Sequence, residues 1–265
     1  MRPTRIITYL LIFLATIFSM NTQAQTVTSE LVKEIAPTGT LRVGINLGNP
    51  ILAGWDESSQ QPIGVSVDLA RELTHRLNLP IQLTTFKTAG NTVEAIKKGE
   101  LDLVFVAIDP LRGQEIAYSS AYVQIEGAYM VQNHSTIEKN EDVDKKDIRI
   151  VVGKGSAYDL FLTREIKHAT LIRSQSSQSV LDDFIQERYE VAAGVKQQLE
   201  MDAQRYNNLR MLPGRFMVIN QAMGIPHQRP NALTYIQNFI VNMKKSGFIE
   251  QALKRHHIEG AQVAQ

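Results

Sequence analysis

Residues 101–108, LDLVFVAI, form a nearly unbroken apolar run that stops at Asp109-Pro110. A strand with one wet face alternates apolar and polar residues. One written almost wholly in Leu, Val, Phe and Ile is covered on both faces, as in a parallel sheet sandwiched by helices. Parallel neighbours need long crossovers, so the segments between such strands should be helices. The rest of the chain is punctuated in that way. A short helix at 31–35 and the turn at Pro37–Gly39 precede a strand at 41–45, which Gly48-Asn49-Pro50 breaks. Leu69, Leu73 and Leu77 recur at helical spacing over 67–77, Pro80 ends that helix, and 81–86 is a second strand. Asn91 with Glu94 has the form of a capping box and predicts a helix from Asn91 to Lys98, closed by Gly99.

Beyond the charged stretch 138–147, read as a solvated connection, the alternation resumes. Strands are expected at 149–152, 171–173, 191–193 and 216–225, and helices from Ser156 to about 166 and at 179–187, 197–203, 232–246 and 248–256. Strand and helix in alternation define an α/β fold with mixed, mostly parallel sheets. Two such units, joined by the extended apolar segment 122–131, predict two lobes with a cleft between them.

The first residues belong to no fold. Arg2 and Arg5 precede an apolar run over 6–20, and Thr22-Gln23-Ala24 supplies small residues for cleavage, so residues 1–24 read as a secretory signal peptide and the protein as an exported one. Its removal leaves 26 basic against 27 acidic side chains, a balance with no electrostatic footprint for nucleic acid or an anionic membrane. With no cysteine, structural disulfides, a thiol nucleophile and a lipid-modified cysteine are excluded. Stability must come from burial, and 43% apolar residues suffice for it.

Signatures of catalysis are missing. There is no nucleophile elbow, and GKGSAY (153–158) fits neither a dinucleotide fingerprint nor a P-loop. His256-His257 with Glu259 is a poor metal set, because adjacent helical positions do not face one point. No catalytic residue, metal or cofactor is therefore expected. Two loops remain. GKGSA is either a tight turn with Ser156 as N-cap or an anion site, where backbone N–H groups and the helix dipole converge. Arg112, just past the buried strand in DPLR, is either a ligand for an anion or a partner of Asp109 or Glu115. Both loops follow strand ends, where open α/β sheets bind their ligands, and this favours the anion site.

The runs LRVGINLGNP, PIGVSVDLARELTHRLNLPIQL and VEAIKKGELDLVFVAIDPLRGQEIAYSSAY, followed by IRIVVGKGSAYDLFL and KKSGFIEQALKRH, resemble the family 3 periplasmic solute-binding proteins of ABC importers over 38–257. The resemblance implies a two-lobed type II periplasmic binding protein fold, with residues 25–124 and 227–265 in one lobe and 125–226 in the other. It implies a periplasmic, monomeric, non-enzymatic protein that hands a small carboxylate-bearing solute, an amino acid or related organic acid, to an ABC permease. An enzyme on the same fold, dehydratase-like, and a sensor of solute are the alternatives. By resemblance Arg112 meets the solute's carboxylate and Ser156 is the matching hydroxyl across the cleft, with Gly155 and Asn49 beside them. The chain also departs from the family pattern. Asp109 stands where the family has a hydroxyl, Ala89-Gly90 where an aromatic usually stacks on the ligand, and Val195 where an acid usually holds the ammonium. Asp109 and Glu126 are the candidates to replace that acid; Glu126 also reads as a solvent-facing strand residue.

Overall fold

A computed structural model describes residues 27–265, so the expected signal peptide lies outside the described residues. Helix α1 (Ser29–Ile35) leads into β1 (Leu41–Asn46), a hairpin of β2 (Gly54–Asp56) and β3 (Gln61–Ile63), α2 (Val65–Leu77), β4 (Ile81–Phe86), α3 (Ala89–Lys97) and β5 (Leu103–Ala107). A 3-10 turn at Arg112–Gln114 and β6 (Ile116–Tyr118) follow, and then β7 (Val123–Gln132) leaves this half. The second half holds β8 (Arg149–Gly153), α4 (Ala157–Glu165), β9 (Thr170–Ser174), α5 (Val180–Gln186), β10 (Val191–Val195), α6 (Lys196–Ala203) and β11 (Leu209–Met211). The chain returns on β12 (Met217–Pro226) and closes with α7 (Pro230–Lys245), α8 (Phe248–Arg255) and β13 (Gln262–Val263).

The main sheet runs β4-β1-β5-β12-β7-β10-β8-β9. β1 lies parallel to β4 and β5, and β8 lies parallel to β9 and β10. Between these parallel sets stand the two long strands, antiparallel to each other and to their neighbours. Each changes partner midway. β12 pairs with β7 from Met217 to Gln221 and with β5 from Gln221 to Gly224, while β7 leaves β12 for β10 at Gly127. Two α/β lobes are thus sewn together by a pair of crossing strands, and one apolar core passes through Tyr122, Ile125 and Ile219. β5 is buried at every residue, as its composition predicts.

Three local details depart from the sequence reading. The helix expected to open at Asn91 opens at Ala89, because Thr88 in extended backbone accepts the Asn91 N–H at 3.1 Å and caps it first. The connection 138–147 is not simply solvated. Val143 is fully buried, and Asp144 accepts the backbone N–H groups of Lys167, His168 and Ala169 at 2.9, 2.7 and 2.8 Å. Finally, α7 begins with Pro230 and has no side-chain cap of its own. Glu34 of α1 accepts the Asn231 and Ala232 N–H groups at 2.9 and 3.0 Å, tying the C-terminal helices to the first lobe.

Candidate functional site

The run of β5 delivers Ala107 to the sheet's end, and Asp109 then shapes the turn. Its Oδ1 accepts the Leu111 N–H at 2.9 Å and, more weakly, that of Arg112 at 3.4 Å, while Gly113 N–H bonds the Asp109 carbonyl at 2.8 Å. This Asx-type turn rolls Arg112 back toward the sheet. Arg112 is 4% exposed. Nη1 donates to the Ala107 carbonyl at 3.1 Å, and Nη2 crosses to the other lobe to donate to the Gly155 carbonyl at 2.8 Å. Burial pulls its pKa down from the usual arginine value, with Tyr118 and Asp109 opposing. Arginine nevertheless keeps its proton in a protein. Among the described residues Arg112 forms no ion pair. Asp109 instead spends its Oδ2 on Arg164 of α4, 2.9 Å away, and Glu115 does not pair with Arg112 either. Asp109 acts on this buried cation only from beyond pairing distance, so its guanidinium is bonded to neutral carbonyls and has no paired carboxylate.

On the facing side the Gly153–Ser156 turn leads into α4. Gly155 needs its freedom, with φ at +71° and an added Cβ lying 3.2 Å from the Gly90 Cα in the first turn of α3. Its N–H is not free for an anion, contrary to the expectation, because Asp159 already accepts it at 2.8 Å. Ser156 is the N-cap, its Oγ accepting the Asp159 N–H at 3.0 Å, and its hydroxyl also interacts with that of Tyr158. Two further bonds tie the lobes, Arg164–Asp109 and Gln178 Nε2 to the Leu47 carbonyl at 2.8 Å.

Between these walls lies a cavity of about 30 Å³, lined by Asn49, Arg112, Lys154, Ser156, Val195 and Gln221 among others. Outside the Arg112–Gly155 bond runs a groove of about 600 Å³ that shares Arg112 and Lys154. Asn49 projects from the turn after β1. It is 8% exposed, and its Oδ1 has no hydrogen-bond partner. Val195 ends β10 beside the cavity, and no Asp or Glu lines it. Neither acid put forward as a replacement reaches it. Asp109 is taken up by its turn and Arg164, and Glu126 lies on β7 against Arg215 at 2.7 Å and Lys196 at 3.7 Å. Sequence reasoning missed Gln221, brought in by β12, and the cavity-facing place of Lys154. Lys154 was visible inside GKGS, but nothing local announced Gln221. Among the described residues no group of His, Asp and Glu is arranged to hold a metal ion.

Bacterial extracellular solute-binding proteins, family 3, match this chain over residues 41–259. No curated protein sequence matches it. Among solved structures, the solute receptor for L-cysteine of Neisseria gonorrhoeae superposes with a TM-score of 0.74 at 19% identity, covering 88% of this chain and 95% of its own. A mutant of ArgBP from T. maritima gives 0.73 at 18%, covering 86% and 100%. The ancestral amino acid-binding protein AncCDT-1, a precursor of cyclohexadienyl dehydratase, gives 0.71 at 20%, covering 84% and 98%. Likeness at such identities is likeness of fold.

Proposed function

The chain belongs to the bacterial extracellular solute-binding proteins, family 3, and on that premise we propose that it captures a small carboxylate-bearing solute between its lobes and passes it to an ABC permease in the inner membrane. One observation carries the reading: Arg112 is a buried guanidinium without a paired carboxylate, bonded at once to the Ala107 carbonyl of one lobe and the Gly155 carbonyl of the other. A carboxylate matches the guanidinium fork, forms charge-assisted bonds worth about 1.5–3 kcal/mol, and supplies the missing charge. Ser156 donates its hydroxyl from the far wall. A solute held from both sides stabilises the closed arrangement by its differential affinity for it.

The lobes in this proposal are 25–124 with 227–265, and 125–226, and the partner exchange of β7 and β12 supports hinges at their crossing. Export through residues 1–24 makes the mature protein a periplasmic monomer starting at Gln25. Enzymatic turnover is not part of the reading, since a dehydratase needs a cleft acid and Asp109 and Glu126 are both engaged by arginines. A thermal-shift screen of amino acids and organic acids should find the solute, because a ligand at 100 times its Kd adds about 2.7 kcal/mol. Calorimetry on Arg112→Ala should then show binding weakened by about 2–5 kcal/mol in a folded protein. Unchanged affinity would return Arg112 to a loop-bracing role.

A further inference from the structure

Resting on the reading of the cleft as a carboxylate site, we infer that the solute is a short hydroxy acid, not an amino acid, and that Asn49 is the residue that selects it. No acid is free to hold an ammonium beside Arg112. Val195 is apolar, Asp109 is bonded to Arg164 at 2.9 Å, and Glu126 to Arg215 at 2.7 Å. The buried Arg112 and the solvent-exposed Lys154 both line the cavity, and Lys154 forms no ion pair among the described residues. An ammonium entering there meets like charge with no acid to offset it.

Asn49 makes the complementary demand. Asn49 lines the cavity, its Oδ1 is buried and lacks a donor, and a buried unpartnered acceptor is costly. A hydroxyl supplies the proton without bringing charge. It also accepts from an amide N–H, so it suits the Asn49 amide in either orientation. Size sets the remaining term. At about 30 Å³, the room of roughly two water-sized probes, the cavity must widen to admit any solute, and a short acid asks for the least widening.

Lactate, alanine and propionate share a carbon skeleton and differ only in carrying a hydroxyl, an ammonium or neither, so calorimetry with the three on the mature protein is the test. Lactate should bind about tenfold more tightly than propionate, as one satisfied hydrogen bond to a buried group allows, and alanine should be weakest. Asn49→Ala should bring lactate down to the level of propionate. Asn49→Asp, which adds the absent acid, should reverse the order of lactate and alanine. A wild-type protein that prefers alanine overturns this inference and leaves the carboxylate site standing. Lactate held equally well by Arg112→Ala brings down the carboxylate site and the inference together, and no binding of any of the three overturns the inference. If Asn49→Ala does not fold, the wild-type order and the Asn49→Asp reversal decide.

Discussion

Arg112 and Gly155 work as a pair, one providing a charge and the other a carbonyl that a side chain would push away. A methyl group at Gly155 must tolerate a left-handed backbone and sit 3.2 Å from the Gly90 Cα. Gly155→Ala is therefore expected to cost about 1 kcal/mol of stability and, by wedging the lobes apart, to weaken solute binding more than it weakens the fold. Parallel melting and calorimetry check this, and equal losses in both would contradict it. Ser156→Ala removes a cap that the Asp159 N–H uses and should lower stability by about 0.5–2 kcal/mol, measurable by urea unfolding.

Both halves begin with the same device. In the first, Arg42 of β1 forks onto Asp102 at 2.8 and 2.9 Å, and its own N–H bonds the same carboxylate at 3.2 Å. In the second, Arg149 of β8 does likewise with Glu190, at 2.7 to 2.9 Å. Asp102 is wholly buried and also meets Arg229 at 3.2 Å, so Asp102→Ala leaves two partly exposed arginines without their partner and should cost about 1–3 kcal/mol. Glu190 gives a pH signature. The Arg149 hydrogen bond, against some burial, holds its carboxyl below the usual range. The folded form thus releases this proton more readily than the unfolded chain does. The stabilisation is full above the ordinary carboxylate range and fades as acid titrates the folded carboxyl. Glu190→Gln should be less stable than wild type at neutral pH, with the gap closing as pH falls. A gap that stays constant to low pH would contradict it.

The same elements show what a sequence exposes. β5, β8 and β10 are apolar runs bounded by Gly, Pro or charge, and burial on both faces leaves that mark in composition. The β2–β3 hairpin, β6, β11 and β13 left no mark, being short strands of two or three residues without periodicity. Thr88 outcompeted Asn91 as a cap because the chain is extended at Thr88, a property of φ and ψ that no capping pattern encodes. At the site, Arg112 and Ser156 were legible because each follows a strand end. The capture of Asp109 by Arg164 was not, since it joins two lobes distant in sequence and depends on how they close.

Across the whole molecule the lobes meet through a few polar bonds and a glycine–glycine contact, with the crossing β7 and β12 as the covalent links. Solute should shift this molecule toward its most compact form, and small-angle scattering should record a smaller radius of gyration at saturation. Arg164→Ala, which releases Asp109, should enlarge the unliganded radius and weaken binding several-fold by depopulating the closed form. The central claim is that the solute's carboxylate takes the Arg112 fork between the lobes. A crystal structure with the tightest-binding acid addresses it directly. The carboxylate oxygens should lie within about 3 Å of the Arg112 Nη atoms, with the Gly155 carbonyl displaced from Nη2. A solute bound elsewhere, with Arg112 still bonded to Ala107 and Gly155, would contradict it.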